Sequence, residues 1–186
     1  MIYKTSVKQN GTCDGKMLED LLFRLADGDI GALETLYEAV RVPVYSFALS
    51  ILKNSHDAED VMHDCFVKIV DSAGAYTAQG KPMAWILTVT KNLCYNRIRE
   101  YGKIAEIPED WERTEADADV SPEDSLLLRA CMEKLSDDEC KIVTLHAVSG
   151  MKHRDIAALL SLPLNTVLSK YNRAIKKLRQ NFEKEN

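Results

Sequence analysis

Apolar residues recur at intervals of three or four along most of the chain, which is the spacing of an amphipathic helix. The longest such run predicts one helix that begins after a capping residue, Asp29, and ends near Leu52, with a bend at Pro43. A shorter helix is predicted before it, over 17–25. No segment alternates apolar and polar residues with a period of two, so we expect no β-sheet.

Two more helices are predicted in the first half of the chain. Ser55 is suited to cap a third helix, which has its own apolar stripe. The pattern breaks over 74–80, after which Pro82 is well placed as the first residue of a fourth helix that ends near Glu100. We therefore expect residues 17–102 to form one compact helical bundle.

The periodic pattern is lost over 103–121, a stretch that is acidic and contains Pro108. Such a stretch cannot bury enough apolar surface to fold by itself, and we interpret it as a linker. A second helical domain is predicted over 122–182, and residues 1–16 and 183–186 are expected to be tails. The predicted fold class is all-α, with two small helical domains joined by an acidic linker.

The second domain has the pattern of a helix-turn-helix. Ser136 and Glu139 match a capping box at the start of one of its helices. Two further helices are predicted over 152–160 and 165–182, and only the turn 161–164 separates them. A helix-turn-helix packs two helices at a steep angle over such a turn. We therefore expect this motif at the C-terminal end of the domain.

The last helix carries residue types that bind the major groove of DNA. Ala157 supplies the small side chain needed where the two helices cross. In this motif the start of the second helix enters the groove, while flanking bases contact phosphates. We predict base-edge contacts by Asn165, Thr166, Ser169, Lys170 and Arg173, and phosphate contacts by Lys152, Arg154, Lys176, Lys177 and Arg179. From spacing alone, a helical hairpin with a solvated basic face is the alternative.

Charge is segregated along this chain, whose formal net charge is −5. Residues 17–72 hold eleven acids and four bases, whereas residues 79–103 hold five bases and one acid. Residues 105–124 hold nine acids and one base, whereas residues 150–182 hold seven bases and one acid. Blocks of opposite sign can meet different partners, and the basic blocks coincide with the fourth predicted helix and with the helix-turn-helix.

Composition argues against several classes of protein. There is no apolar run of about eighteen residues, as a transmembrane helix needs, and the mixed N-terminus does not resemble a signal peptide, so a cytoplasmic location is expected. Five scattered cysteines argue against a disulfide framework. The spacing of Cys131, Cys140, His146 and His153 fits no zinc site, so we expect core cysteines, surface histidines and no metal. The sequence has no enzyme signature, and we expect no catalysis, no cofactor and no small-molecule substrate.

Two sets of motifs occur in a fixed order along the chain. The C-terminal set comprises Leu135-Ser136, Asp155-Ile156-Ala157 and the run from Thr166 to Ala174. The N-terminal set comprises Gly28-Asp29, Ala32, Leu36-Tyr37, Val44-Tyr45, Ala48, Ile51-Leu52, Ala58-Glu59-Asp60-Val61, Phe66, Trp85 and Asn92. Together they resemble the extracytoplasmic-function (ECF) group of sigma factors, in the sigma-70 family of bacterial RNA polymerase. The departures from the family pattern are Lys152-His153-Arg154, Asn165, Leu168, Lys170 and His63, and they bear on promoter sequence.

The resemblance implies an alternative sigma factor that binds core RNA polymerase and promoter DNA. It places the third helix against the polymerase, through Asp57, Glu59, Asp60 and Asp64. It places the fourth helix, with the loop before it, on the downstream (minus-10) element, where a base is extruded from the duplex. The candidate residues there are Lys81, Lys91, Asn92, Asn96, Arg97 and Arg99. It places the helix-turn-helix on the upstream (minus-35) element.

The resemblance also implies an anti-sigma partner that contacts both domains. The linker is expected either to follow a channel of the polymerase or to serve as a plain tether. Trp85 is expected to anchor the core rather than to stack on a base, and Tyr95 is left open. The residues leave two other functions open, namely a conventional helix-turn-helix regulator that binds an operator without acting as a sigma subunit, and a helical adaptor without DNA contact.

Overall fold

Helices make up nearly all of the described chain. The computed structural model describes residues 14–102 and 122–182, except for the side chains of 122–127 and 181–182. In chain order the helices are α1 (Gly15–Ala26), α2 (Gly31–Leu52), α3 (Ser55–Ser72), α4 (Pro82–Tyr101), α5 (Pro122–Lys134), α6 (Asp137–Ala147), α7 (His153–Leu160) and α8 (Leu164–Phe182). A 3₁₀ turn, Ala73–Ala75, follows α3, and no strand occurs in the described part of the chain. The predicted all-α class is confirmed, while the linker and most of both tails lie outside the described residues.

Two helices begin at the residues that local chemistry predicts, and α2 begins one residue later than predicted. The N-cap of α2 is Ile30 and not Asp29, although the Asp29 carboxylate accepts a hydrogen bond from the Gly31 amide at 3.0 Å. Pro82 is the first residue of α4. Ser136 and Glu139 make both halves of the capping box at the start of α6. These starts depend on residues close together in sequence, which is why sequence reasoning located them.

The start of α3 differs from the prediction by one residue. Asn54, and not Ser55, is the capping residue, and its side-chain oxygen accepts the Asp57 amide at 3.0 Å. The backbone of Asn54 is extended, as a capping position requires, whereas Ser55 is already helical. Pro43 lies within α2, which continues through it as one helix.

One hydrophobic core continues from the N-terminal bundle into the C-terminal helices. Helices α2, α3 and α4 pack on one another, α6 packs on α2, and α7 packs on α4. Ile142 and Leu145 of α6 and Ile156 of α7 are fully buried in the same cluster as Leu36 and Phe47 of α2. Each such aliphatic side chain stabilises the fold by about 1.5–3 kcal/mol when it leaves water. The helices of residues 14–102 and those of residues 122–182 therefore pack against each other through one continuous core.

A smaller core lies among α5, α6 and α8. It contains Cys131, Cys140, Val143, Ala174 and Leu178, and the two thiols are fully buried in it. The prediction that these cysteines belong to the core is confirmed. This cluster holds α8 against α6, and it thereby determines which side of α8 remains open to solvent.

Candidate nucleic-acid and polymerase-binding surfaces

The helix-turn-helix is formed by α7, α8 and a tight turn between them. Ser161 has a left-handed backbone with φ of 56° and ends α7, while the Leu162 amide donates to the Ala157 carbonyl at 2.9 Å. Val167 and Ala174 of α8 are fully buried against the rest of the domain. The opposite side of α8 is therefore the one that can enter a DNA groove.

Most of the predicted DNA-binding side chains of this domain are accessible. Thr166 and Lys170 are half-buried, and the others are exposed, namely Lys152, Arg154, Asn165, Ser169, Arg173, Lys176, Lys177 and Arg179. Asn165, Ser169 and Lys176 lie at intervals of four and seven residues, so they share one face of the helix. The structure thus brings two predicted base-edge residues and one predicted phosphate residue of α8 together on one face.

Two of the predicted lysines are held by carboxylates of α6. The Lys170 ammonium lies 2.8 Å from Asp138, and the Lys177 ammonium lies 2.6 Å from Glu139. Burial opposes ionisation of Glu139, but hydrogen bonds from Lys177 and from Ser136 outweigh it and hold the pKa of Glu139 below its usual value. These lysines must exchange a protein partner for a phosphate if they bind DNA.

Arg173 and Lys176 differ from those lysines in their surroundings. Both are exposed, and in the part of the chain that the structure describes neither is paired with a carboxylate. The Arg173 Nε donates a long hydrogen bond of 3.4 Å to the backbone carbonyl of Ser169, and the side chain is exposed to solvent. They are therefore better prepared to contact DNA than Lys170 and Lys177.

The two histidines near this motif are packed rather than exposed, contrary to the prediction. The rings of His146 and His153 stack with centroids 4.3 Å apart, and the Tyr171 ring meets both edge-on, at 4.9 Å and 4.6 Å. One ring nitrogen of His146, Nδ1, hydrogen-bonds with the Met151 carbonyl at 2.9 Å. Sequence spacing missed this cluster because its members come from three different helix regions.

The packing of His153 predicts a pH dependence of stability. Burial, together with the neighbouring His146, lowers the pKa of His153 from its ordinary value of 6.5, so folding favours the neutral ring. This contribution is complete above the unfolded pKa and is lost as the pH falls through it. We expect the melting temperature to drop between about pH 7 and about pH 5, and to drop less in a His153→Gln variant. His56→Gln removes an exposed histidine of α3 and should leave the drop unchanged; an equal drop in all three proteins would contradict the prediction.

The predicted downstream-element residues of α4 point in three directions. Asn92, Asn96 and Arg99 are exposed at intervals of four and three residues, so they line one stripe along the helix, and the 45% exposed Tyr95 lies beside them. We call Asn92, Tyr95, Asn96 and Arg99 the open stripe of α4. Trp85 lies elsewhere and packs edge-on against the Tyr76 ring at 5.4 Å, as expected of a core anchor.

Lys81, the residue before α4, and Lys91 of α4 bond to the helix-turn-helix. The Lys81 ammonium lies 2.6 Å from the Asp155 carboxylate of α7, and the Lys91 ammonium donates to the Leu159 carbonyl at 2.7 Å. Elsewhere in the contact between the two groups of helices, the Lys53 ammonium lies 3.6 Å from Asp137. Two cations predicted to bind DNA thus hold the two groups of helices together.

Arg97 joins α4 to the acidic helix α3. Its guanidinium lies 2.7 Å from Asp60 and 3.8 Å from Asp57. The Tyr101 hydroxyl also donates to Asp57, and this hydrogen bond raises the pKa of Tyr101 above its usual value. Of the four acids predicted to bind polymerase, Asp60 and Asp64 are exposed, whereas Asp57 and Glu59 are half-buried. Asp57 is therefore chiefly a link between α3 and α4.

The loop before α4 is anchored by a residue that sequence reasoning missed. The Glu19 carboxylate of α1 accepts the Tyr76 hydroxyl at 2.7 Å and the Gly80 amide at 3.2 Å. Burial is the main reason that the pKa of Tyr76 is raised to about 12, so the hydroxyl remains a donor. No sequence signal connects Glu19 with a loop almost sixty residues later (57 to Tyr76).

Comparison with known proteins decides the family. Residues 36–104 match the model for Sigma-70 region 2, and residues 125–178 match the model for Sigma-70, region 4. The ECF RNA polymerase sigma factor SigE of Mycolicibacterium smegmatis is 32% identical over 171 residues, which cover 86% of this chain and 66% of SigE. The chain belongs to the ECF group of the sigma-70 family. A second relative, the ECF sigma factor SigK of Mycobacterium sp. (strain KMS), is 27% identical over 171 residues, covering 87% of this chain and 89% of SigK.

Solved structures show the same fold. The structure of CnrH in complex with the cytosolic domain of CnrY matches with a TM-score of 0.62 at 20% identity, over 91% of this chain and 99% of that one. The sigma factor RpoE of Bartonella quintana, in complex with the anti-sigma factor NepR, matches with a TM-score of 0.61 at 20% identity, over 81% and 96%. The predicted family is confirmed, and this chain is an alternative sigma factor. Within residues 14–102 and 122–182, no helix of this sigma factor has the length and hydropathy of a membrane span.

Removal of the Lys81–Asp155 ion pair should allow α7 to separate from α4 more often. Asp155→Asn removes the charge that faces Lys81 and keeps the shape of the side chain. Because an exposed ion pair contributes about 0.2–1 kcal/mol, the fraction of molecules in which α7 has left α4 should rise by roughly 1.4- to fivefold. Energy transfer between dyes on α3 and α8 of the full chain measures this fraction. Asp71→Asn, at an exposed position of α3, is the matched control, and equal fractions for the two variants would mean that the Lys81–Asp155 pair does not hold α7 against α4.

Proposed function

We propose that this sigma factor uses three separate surfaces to direct core RNA polymerase to its promoters. The outer face of α3 binds the polymerase, the open stripe of α4 binds the downstream element, and the outer face of α8 binds the upstream element. The accessibility of the open stripe, together with that of Arg173 and Lys176, carries the proposal. The open stripe and the pair of α8 cations both consist of polar or cationic side chains that remain exposed after the helices have packed.

The upstream element is bound as a duplex. The N-terminal half of α8 enters the major groove, where Asn165 and Ser169 meet base edges. The guanidinium of Arg173 has the fork geometry for the two acceptors of a guanine, and Lys176 holds a phosphate as a point charge. Lys170 and Lys177 join these contacts when Asp138 and Glu139 release them.

The downstream element is bound as a partly separated strand. The amides of Asn92 and Asn96 offer both donors and acceptors, which suit the exposed edge of an unstacked base. The ring of Tyr95 offers a surface for stacking, and Arg99 follows the backbone. Tyr95, which sequence reasoning left open, is therefore assigned to this surface.

The polymerase is bound through the acids of α3 that remain exposed. Asp60 and Asp64 lie on the outer face of this helix, and half-buried Glu59 lies beside them. Opposite charge on the polymerase would steer the encounter and set its orientation. Asp57 supports this face from within, through its contacts with Arg97 and Tyr101.

Promoter binding requires the two groups of helices to separate. Lys81 and Lys91 are occupied by α7 in the closed structure, so they reach DNA only after α7 leaves. Polymerase binding to α3 and DNA binding to α8 supply contacts that are made only in the open form. A ligand shifts such an equilibrium only by its differential affinity for the two forms.

The remaining parts of the proposal concern chemistry, location and regulation. The polymerase supplies all catalysis, and this chain selects and helps to open promoters in the cytoplasm. The solved structures of CnrH and RpoE each contain a second protein, which for RpoE is an anti-sigma factor. By analogy, an anti-sigma protein that contacts both groups of helices keeps this chain inactive.

Reconstituted transcription tests the proposal. The purified full chain is added to core polymerase from its host, with host genomic fragments as templates. Discrete transcripts are expected only when both proteins are present, and the chain alone should shift the same fragments weakly in a gel. Absence of promoter-dependent transcripts would reject a sigma function. Tight binding of one fragment without polymerase would instead support a conventional regulator.

The role of α3 has its own matched test. Asp60→Asn combined with Asp64→Asn should weaken capture of core polymerase by the full chain, because Asp64 is exposed on the proposed contact face and Asp60, although paired with Arg97, is 63% exposed there. Asp71→Asn, also exposed on α3, should retain capture. Equal capture by all three proteins would exclude this face as the binding surface.

A further inference from the structure

Two leucines interrupt the polar surface of the recognition helix. Leu164 is 39% exposed and Leu168 is 38% exposed, and they lie one turn apart at the start of α8. Their neighbours on the open side are polar, namely exposed Asn165, Ser169 and Asn172. An apolar pair on an otherwise polar binding surface is suited to contact an apolar group of the ligand.

Leu164 and Leu168 are not part of the side of α8 that packs on the domain core. Val167, Ala174 and Leu178 already fill the side of α8 that faces the domain core. Leu164 and Leu168 lie at the edge of the open face, at positions i and i+4, so both side chains lean toward the N-terminal end of the helix. That end is the part of a recognition helix that goes deepest into the groove.

The major groove offers one apolar group to such a pair. Leucine has no hydrogen-bond donor or acceptor, so it gains nothing from phosphates or from the polar edges of bases. The 5-methyl group of thymine is the apolar feature that the groove presents, and side chains such as alanine or the threonine methyl recognise it by contact. Cytosine and guanine present no such group and would leave the leucines against polar edges.

We propose that Leu164 and Leu168 select thymine in the upstream element by packing against its 5-methyl group. This inference rests on the proposed function, because it names what one of the DNA-binding surfaces reads. Asn165, Ser169 and Arg173 supply the polar contacts around it. At the position that the leucines contact, this chain prefers a thymine, whereas a cationic side chain there would prefer a base that presents a hydrogen-bond acceptor.

Deoxyuridine tests the inference, because it differs from thymidine only by this methyl group. Promoter duplexes are first selected from a library randomised over the upstream element, with the full chain bound to core polymerase. Each thymine of the selected element is then replaced in turn by deoxyuridine. At the contacted position, binding by the unaltered chain should weaken by roughly fourfold for the lost methyl.

Leu168→Ala supplies the decisive comparison. This variant should bind the thymidine and deoxyuridine duplexes with affinities within about twofold of each other, because the side chain that reads the methyl is gone. Leu164→Ala should show a smaller loss of discrimination or the same loss at the adjacent base. Met17→Ala, which truncates a 40% exposed side chain of α1, should retain the full deoxyuridine penalty.

The outcomes separate this inference from the proposed function. Selection without thymine in the upstream element, or a deoxyuridine penalty that Leu168→Ala and Leu164→Ala both retain, would overturn the inference while leaving the sigma function intact. Failure of the library to yield any duplex that depends on the upstream element would overturn both. Because Leu164 and Leu168 are exposed, unchanged melting temperatures should accompany both variants.

Discussion

Arg173→Ala is expected to lower upstream-element-dependent transcription by about 5- to 150-fold, the effect of removing one bidentate base contact. Arg173 is exposed on the outer face of α8, and among the described residues no carboxylate competes with DNA for it. The loss should fall on promoters that need the upstream element, since α8 is remote from the acids of α3. Initiation assays with the full chain and core polymerase measure it.

Two comparisons sharpen this prediction. Arg129→Ala removes an arginine of α5 that is 69% exposed and paired with Glu133, so it should leave transcription unchanged. Lys170→Ala should cost less than Arg173→Ala, because Lys170 is already held by Asp138 and gives up that contact when it binds DNA. Equal activity of the Arg173→Ala and Arg129→Ala variants would remove Arg173 from the DNA-binding surface.

Phe47→Ala is expected to lower the free energy of unfolding by about 3–5 kcal/mol. Phe47 is fully buried in α2, within the core cluster that continues into α6 and α7. Its removal forfeits the transfer of a large ring from water and leaves a cavity that close-packed neighbours fill only in part. Urea denaturation of the full chain, followed by far-ultraviolet circular dichroism, measures the loss.

The same substitution at an exposed phenylalanine is the control. Phe23 of α1 is 41% exposed and touches the Tyr76 ring at a centroid distance of 5.8 Å. Phe23→Ala should therefore destabilise by less than about 1.5 kcal/mol, the value of an aromatic pair. A loss for Phe47→Ala as small as that for Phe23→Ala would mean that α2 does not form the centre of the core.

The helices could be predicted from the sequence because their signals are local. Pro82 starts α4 and the Ser136–Glu139 pair starts α6, and each depends only on residues within one helical turn. The one-residue error at Ser55 shows the limit of this approach. Asn54 and Ser55 are both good caps, and only the backbone path into α3 decides between them.

The functional surfaces could be predicted only in part. The sequence groups the cationic and amide side chains of the fourth helix as one DNA-binding set, yet Arg97 bonds to Asp60 and Lys81 bonds to Asp155. Among the described members of that set, Asn92, Asn96 and Arg99 remain open for DNA. Periodicity reports which residues share a helix face, but it does not report which other helix covers that face. The partner of Lys81 is 74 residues away in the chain, so only the packing of α7 on α4 reveals it.

The prediction that His146 and His153 lie on the surface was wrong for a related reason. Histidine is intermediate between the buried and the exposed residue types, so its identity alone does not decide its burial, and nothing near His153 in sequence signals Tyr171. The three rings meet because α8 folds back over the start of α7. The assignment of Cys131 and Cys140 to the core succeeded because a free thiol behaves as a small apolar group, whatever its partners are.

The bonds that hold Lys81 and Lys91 to α7 also limit nonspecific binding of the free chain to chromosomal DNA. Every phosphate that a protein neutralises releases condensed counterions and steepens the dependence of log K on log salt concentration by about 0.9. With Lys81 paired to Asp155 and Lys91 bonded to the Leu159 carbonyl, the free chain neutralises fewer phosphates than the chain bound to polymerase. Unassembled molecules should therefore spend less time on random DNA at low ionic strength, and their salt dependence should be shallower by about 2 in slope.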